Sequence, residues 1–193
     1  MKKAICVLGC GLLLLLQVPV LPIKSAGVVA GETKHGGKIE VKYDGFSHET
    51  VLSLRKMRIS CDSIKDSLKG TPTCVSMFVS LHCRGEQAFH VNYVNLQLIF
   101  EAKAWDQRHS LNQRELSVVV NNETIRLGQM KLISESIDDN LTETLGITFP
   151  YEAFKKITEA QFVEMQVGYS RFALREKNLD ALRDLNARVV AAK

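Results

Sequence analysis

Between Cys74 and Cys83 the side chains alternate with period two: Val75, Met77, Val79 and Leu81 against Ser76, Phe78, Ser80 and His82. Successive strand side chains point to opposite faces, so this stretch predicts a strand with one buried face. Leu96, Leu98, Phe100 and Ala102 repeat the pattern toward Trp105. Val51–Ile59 is also rich in β-formers, but Leu52 and Leu54 change parity to Met57 and Ile59, which predicts a bulge near Arg55-Lys56. Leu116–Val120 and Ile125–Leu132 flank Asn121-Asn122, a pair that tolerates the positive φ of a tight hairpin. A short strand is expected over Gly146–Phe149, and a hairpin over Phe162–Val167 and Arg171–Leu174, closed by Gly168-Tyr169-Ser170.

Helical spacing appears twice, both times late in the chain. Tyr151, Phe154, Ile157 and Ala160 follow Pro150, which suits a first helical turn. Leu179, Leu182, Leu185 and Val189 form one apolar stripe, with Asp180–Arg183 and Asp184–Arg188 expected on its wet side, each pair worth a few tenths of a kcal/mol. Many short strands whose apolar faces need a second layer predict a mainly β fold: an antiparallel β-sandwich with two short helices in the C-terminal third.

The N-terminus breaks this pattern. Met1-Lys2-Lys3 precedes an apolar run that includes Leu12–Leu16 and ends at Pro19 and Pro22, the arrangement of a secretory signal. Val28-Val29-Ala30 offers a small-residue cleavage site, with Ser25-Ala26 as a second. The expected organisation is a signal peptide over 1–30, a flexible Gly-rich leader over 31–40, and a single domain over 41–193. An uncleaved anchor would need about 20 apolar residues, and Gln17, Pro19, Pro22 and Lys24 interrupt this run. A lipid-modified Cys10 would sit inside the apolar segment, since the longest leucine run follows it.

Removing residues 1–30 takes away three lysines and no acid, so a net charge of +4 falls to +1. A near-neutral domain is no obvious nucleic-acid binder, because phosphate binding draws on many Lys and Arg together. Of the five cysteines, Cys61, Cys74 and Cys83 remain. Outside the cytoplasm a pair is expected to oxidise. Cys74 and Cys83 close opposite ends of one strand, roughly 30 Å apart, whereas a bridge needs Cα atoms within about 7 Å. Antiparallel pairing of the flanking strands brings Cys61 to Cys74, a closure worth about 3 kcal/mol. Cys61–Cys83 and three free thiols are the alternatives.

No catalytic, cofactor or metal constellation emerges. Gly168-Tyr169-Ser170-Arg171-Phe172 approaches the nucleophile-elbow motif, but Phe172 replaces its second Gly and strands flank it on both sides. None of His35, His48, His82, His90 and His109 has metal-binding spacing, and His82 and Cys83, as strand neighbours, face opposite ways. Glu135, Asp138, Asp139 and Asn140 read as solvated loop residues without calcium-loop spacing. Arg55, Lys56 and Arg58 read as edge-strand protection, and Trp105 as a packing residue at core or rim.

Several stretches together resemble a group of exported bacterial proteins with no assigned activity. They are Tyr43-Asp44-Gly45-Phe46 before Thr50-Val51; the strand ending at Trp105 and the run Leu116–Val120; and the C-terminal sequence from Phe154 through Phe172-Ala173-Leu174 to Leu179-Asp180-Ala181-Leu182-Arg183-Asp184-Leu185. The resemblance covers most of residues 41–189 and implies a fold but no catalytic residues. This chain departs from it with Asn121-Asn122 in place of Asp-Gly, and with Arg175 in place of a Ser or Thr helix cap. The second departure predicts a last helix starting near Asn178.

The expectation is therefore a non-catalytic periplasmic or secreted module, without cofactor or membrane span after processing, that meets an unknown envelope protein or polymer. A hydrolase assembled from distant residues and a membrane-anchored structural protein are the rival classes. N-terminal sequencing of the exported protein is expected to begin at Gly31 or Gly27. A chain that retains Met1 and stays with membranes after an alkaline wash would refute the cleavage.

Overall fold

In a computed structural model, residues 35, 37–60, 74–88, 90–102, 109–137 and 141–190 are described. Among the described residues there are ten strands: β1 (Ile39–Asp44), β2 (Glu49–Ser60), β3 (Cys74–Arg84), β4 (Val91–Ala102), β5 (Glu115–Val120), β6 (Glu123–Gln129), β7 (Lys131–Ile137), β8 (Leu141–Phe149), β9 (Val163–Val167) and β10 (Ser170–Leu174). The helices are α1 (Tyr151–Glu159) and α2 (Glu176–Val190). A six-stranded sheet runs β1-β2-β3-β4-β8-β7, and a four-stranded sheet runs β10-β9-β5-β6. All neighbouring strands are antiparallel. The two sheets pack as a sandwich-like pair.

Alternation sorts side chains between core and surface. Met77, Val79, Leu81, Leu96, Leu98 and Leu145 of the large sheet point inward and are buried, as are Leu116, Val118, Met165 and Val167 of the small one. Met77, Val79, Leu96, Met165, Phe154, Ile157 and Leu182 surround one apolar point where both sheets and both helices meet. The β2 bulge falls at the predicted place, between Leu54 and Met57. It restores Met57 and Ile59 to the core. Asn121 and Asn122 take φ values of 47° and 73°, the left-handed pair that a two-residue hairpin requires.

Several boundaries differ from expectation. The sheet starts inside the supposed leader, because Ile39 is fully buried and pairs with Leu54, while His35 reaches Asp184 on α2 at 3.4 Å. Ile125–Leu132 is not one strand: β6 ends at Gln129, and the buried Met130 carries the chain into the other sheet as its N–H donates to Arg114 O. Strand β8 begins at Leu141, five residues before the expected start. Glu135 lies in strand β7, not in a loop. Residues Asp138, Asp139 and Asn140, like Trp105, fall outside the described residues.

Strand β2 is covered by β1 over Glu49–Leu54, and the Arg55 N–H bonds Lys38 O. Arg55 therefore does not sit on a free edge, whereas Arg58 lies where β2 pairs with β3 alone. Arg55 also forms a salt bridge with Glu40 on β1 at 2.5 Å. Cys83 is a buried free thiol, which excludes its pairing with Cys61. Cys74 is disulfide-bonded, and Cys61 falls outside the described residues.

The last helix starts at Glu176, earlier than expected. Asn178 explains this: its Oδ1 accepts the Arg175 backbone N–H at 3.0 Å, and its Nδ2 donates to Arg58 O at 3.3 Å. The side chain three residues on thus supplies the reciprocal half of a capping box, satisfying the N–H of Arg175 itself. Arg183 also does more than the wet-side reading allows. It donates to Thr158 O at 3.0 Å and Ala160 O at 2.7 Å, satisfying carbonyls at the end of α1 while also pairing with Asp180.

Two substitutions separate these roles. Leu182→Ala is expected to cost about 2–5 kcal/mol, since it opens a cavity where both sheets and both helices meet. Arg183→Ala is expected to cost about 1–2 kcal/mol through the orphaned α1 carbonyls. Denaturant melts measure both, and a loss below about 0.5 kcal/mol for Arg183→Ala would return it to a solvated surface role.

Candidate functional site

Two polar clusters stand out, one inside the sandwich and one on its surface. The inner cluster begins with a sequence anomaly: Glu143 occupies an inward position of β8, opposite Phe100 and two residues from the core residue Leu145. A carboxylate there needs partners, because an unpaired buried charge costs several kcal/mol. His109 supplies them, its backbone N–H donating to Glu143 Oε2 at 3.1 Å and its Nδ1–H at 2.7 Å. Arg114 contributes a third contact, Nη2 to Glu143 Oε1 at 3.5 Å, while its Nε holds His109 O at 3.0 Å.

With Nδ1 committed to the carboxylate, His109 Nε2 is left to accept from Ser170 Oγ at 2.9 Å. Phe100 packs on one side of the imidazole with ring centroids 4.5 Å apart, and Tyr169 stacks on it at 5.4 Å. Glu143 belongs to the large sheet and Ser170 to the small one, so the imidazole is a hydrogen-bonded strut between layers. The order Ser–His–Glu matches the connectivity of a serine-hydrolase relay. Its surroundings do not suit one. His109 and Ser170 are both 0 % exposed, which leaves no space for a carbonyl beside Oγ. Gly168, before the serine, has φ 55°, and a Cβ there would meet Gln113 O at 2.6 Å, so this turn is tightly packed.

The motif around Ser170 was visible in the sequence but reads there as a turn, whereas Ser170 is the first residue of β10. His109 carries no local signal at all. Its partners are 34 and 61 positions away.

The outer cluster lies on the solvent-facing side of the large sheet and is centred on His82. Its imidazole stacks on Tyr93 with centroids 4.5 Å apart and an interplanar angle of 17°. The ring nitrogens meet Tyr93 OH, Asn95 Nδ2 and Ser80 Oγ, each at 3.1 Å, and Glu49 Oε2 at 3.4 Å. Asn95 Oδ1 in turn accepts from Thr148 Oγ1 at 2.6 Å. Burial and the neighbouring Glu49 carboxylate both push the Tyr93 hydroxyl above its ordinary range, so it stays a neutral donor.

Cys83, next along the strand, faces the opposite way into the core. Burial, with a smaller contribution from Glu49, pushes its thiol up to about 11. Such a group is inert as a nucleophile at neutral pH.

Among the described residues no cluster of His, Cys, Asp and Glu is arranged to hold a metal ion. Among them, too, no helix is long and apolar enough to cross a membrane. No family model, curated protein or solved structure matches the chain.

The inner cluster has a stability signature. His109→Ala removes the Nδ1–H contact and the bond to Ser170. It leaves buried Glu143 with only the backbone N–H of residue 109 and the longer Arg114 contact, and is expected to cost about 3–5 kcal/mol. Ser170→Ala, which removes one neutral hydrogen bond, is expected to cost about 1–3 kcal/mol. Chemical denaturation measures both; a His109→Ala variant as stable as the parent would show that the sheets are joined without the strut.

Proposed function

We propose that this chain is an exported, non-catalytic module that binds a component of the cell envelope through the outer face of its six-stranded sheet. The observation carrying this reading is the hydrogen-bonded set of His82, Tyr93, Asn95, Ser80 and Thr148. These side chains come from three adjacent strands and hold one another in fixed orientations, with Ser80 buried beneath them, His82, Tyr93 and Asn95 half-buried and Thr148 exposed. A sheet face that only needed solubility would be served by mobile, separately solvated charges. Ordered donors and acceptors are what a binding surface uses to reduce the entropy lost on association. The signal-like N-terminus, and the resemblance to exported bacterial proteins, support the compartment. A Cys61–Cys74 bridge belongs to the same reading, since the oxidising space outside the cytoplasm favours it.

A second reading, a hydrolase using Ser170, is favoured by the order Ser170–His109–Glu143. Against it stands the burial of both the serine and the histidine. Catalysis needs the nucleophile within reach of a reacting carbonyl.

Two measurements separate these readings. The processed protein is expected to co-sediment with isolated envelopes of the cells that make it, and Gln97→Arg, which places a bulky charge on the outer face, is expected to release it. Equal sedimentation of parent and variant, or none for either, would overturn the binding face. A fluorophosphonate probe is expected to leave Ser170 unlabelled in the native protein. Labelling abolished by Ser170→Ala would establish the hydrolase instead.

A further inference from the structure

The ligand class is legible in how the outer face is laid out, taking as given that this face binds. Thr148, Asn95, Ser80, Ser53 and Glu40 stand opposite one another on β8, β4, β3, β2 and β1, forming one polar row across five strands. At a strand spacing of about 4.8 Å the row is roughly 19 Å long. A second row on one side reads Tyr93, His82, Val51 and Lys42, and a third on the other side reads Lys131, Gly146, Gln97 and Phe78.

Small side chains lie along the middle of this surface, and a cleft opens at each end. The cleft toward β7 measures about 340 Å³ and is lined by Asn95, Gln97, Gln129, Lys131 and Thr148. The cleft toward β1 measures about 350 Å³, with Lys42, Ser53, Arg55 and Phe78 in its walls. Both fall within the range of small-ligand sites. Gly146 keeps the first cleft in shape, because a Cβ there would meet Ile133 Cγ1 at 2.8 Å.

The chemistry of the rows is that of amides and hydroxyls. Asn95 spends one amide hydrogen on His82 and one acceptor site on Thr148, leaving a donor and an acceptor unspent. Among the described residues the Gln97 side-chain amide makes no hydrogen bond, and the Lys131 ammonium has no carboxylate partner. A group that offers donor and acceptor side by side matches vicinal hydroxyls, which also donate and accept. Tyr93 and Phe78 flank the central row and offer apolar surface to the C–H face of a sugar ring. A peptide would instead be held by main-chain pairing at a sheet edge, but the central strands here are already paired on both sides. The strand spacing is also close to the repeat of an extended pyranose chain.

We propose that this trough binds an extended, hydroxyl-rich oligosaccharide lying across the strands, from Lys131 at one end toward Glu40 at the other. The test is calorimetric titration of the processed chain with four probes: cellotetraose, xylotetraose, chitotetraose, and a tetrasaccharide of alternating N-acetylglucosamine and N-acetylmuramic acid. At least one is expected to bind, with Gln97→Ala and Asn95→Ala each weakening it by about tenfold. Gln97→Ala is expected to keep the parent melting temperature, so its loss of affinity cannot be laid to misfolding. Two results overturn the proposal: no probe binding at millimolar concentration, or binding that Gln97→Ala leaves unchanged. If the protein still sediments with envelopes in either case, and Gln97→Arg still releases it, the binding face survives and only the ligand class is wrong.

Discussion

The sandwich depends on one buried charge being answered. Glu143 stands where alternation along β8 calls for an apolar residue, and both donors of His109, with Arg114 behind them, make that position tolerable. Because His109 also bonds Ser170, satisfying the carboxylate fixes the distance between the sheets. Apolar packing alone tolerates small slides between layers, whereas a hydrogen bond weakens steeply as its geometry departs from linear. The strut therefore sets the alignment of the layers, while the leucines, valines and methionines around it supply most of the burial.

How much of this was legible follows from which signals are local. Strands β3 and β4 and the Asn121-Asn122 hairpin were readable because alternation and turn chemistry act within a few residues. The β2 bulge was readable for the same reason, as a change of parity. Strand β7 was lost because its apolar residues do not keep one parity, leaving Leu132 and Ile133 both partly exposed. Strand β8 was cut short because Glu143 and Thr144 masked its core positions. The start of α2 is not legible at Arg175, because the side chain that ties down this end is Asn178, three residues on, which accepts the Arg175 N–H. The strut itself had one faint mark in the sequence. Leu141, Glu143 and Leu145 share a parity, and an acid in such a series announces a buried partner without saying where along the chain it lies.

The two clusters of histidine show how position assigns roles to one chemistry. His109 and His82 each gather a carboxylate and a hydroxyl, yet one is sealed between sheets and the other faces water. Inside, the same contacts give rigidity and close off any approach to Ser170. Outside, they hold Tyr93 and Asn95 in place and leave Asn95 a donor and an acceptor unspent. Burial, more than residue identity, separates a structural site from one available to a ligand.

The route of the chain between the sheets carries a further consequence. Strands β1 to β4 build the large sheet, β5 and β6 begin the small one, β7 and β8 return to the large, and β9 and β10 complete the small. Each layer is thus made of two pieces separated by a piece of the other, and the crossing at Met130 occupies a single residue. No cut in the sequence separates one layer cleanly from the other. Neither layer has a contiguous sequence of its own, so loosening one layer loosens the other and a single cooperative unfolding transition is expected.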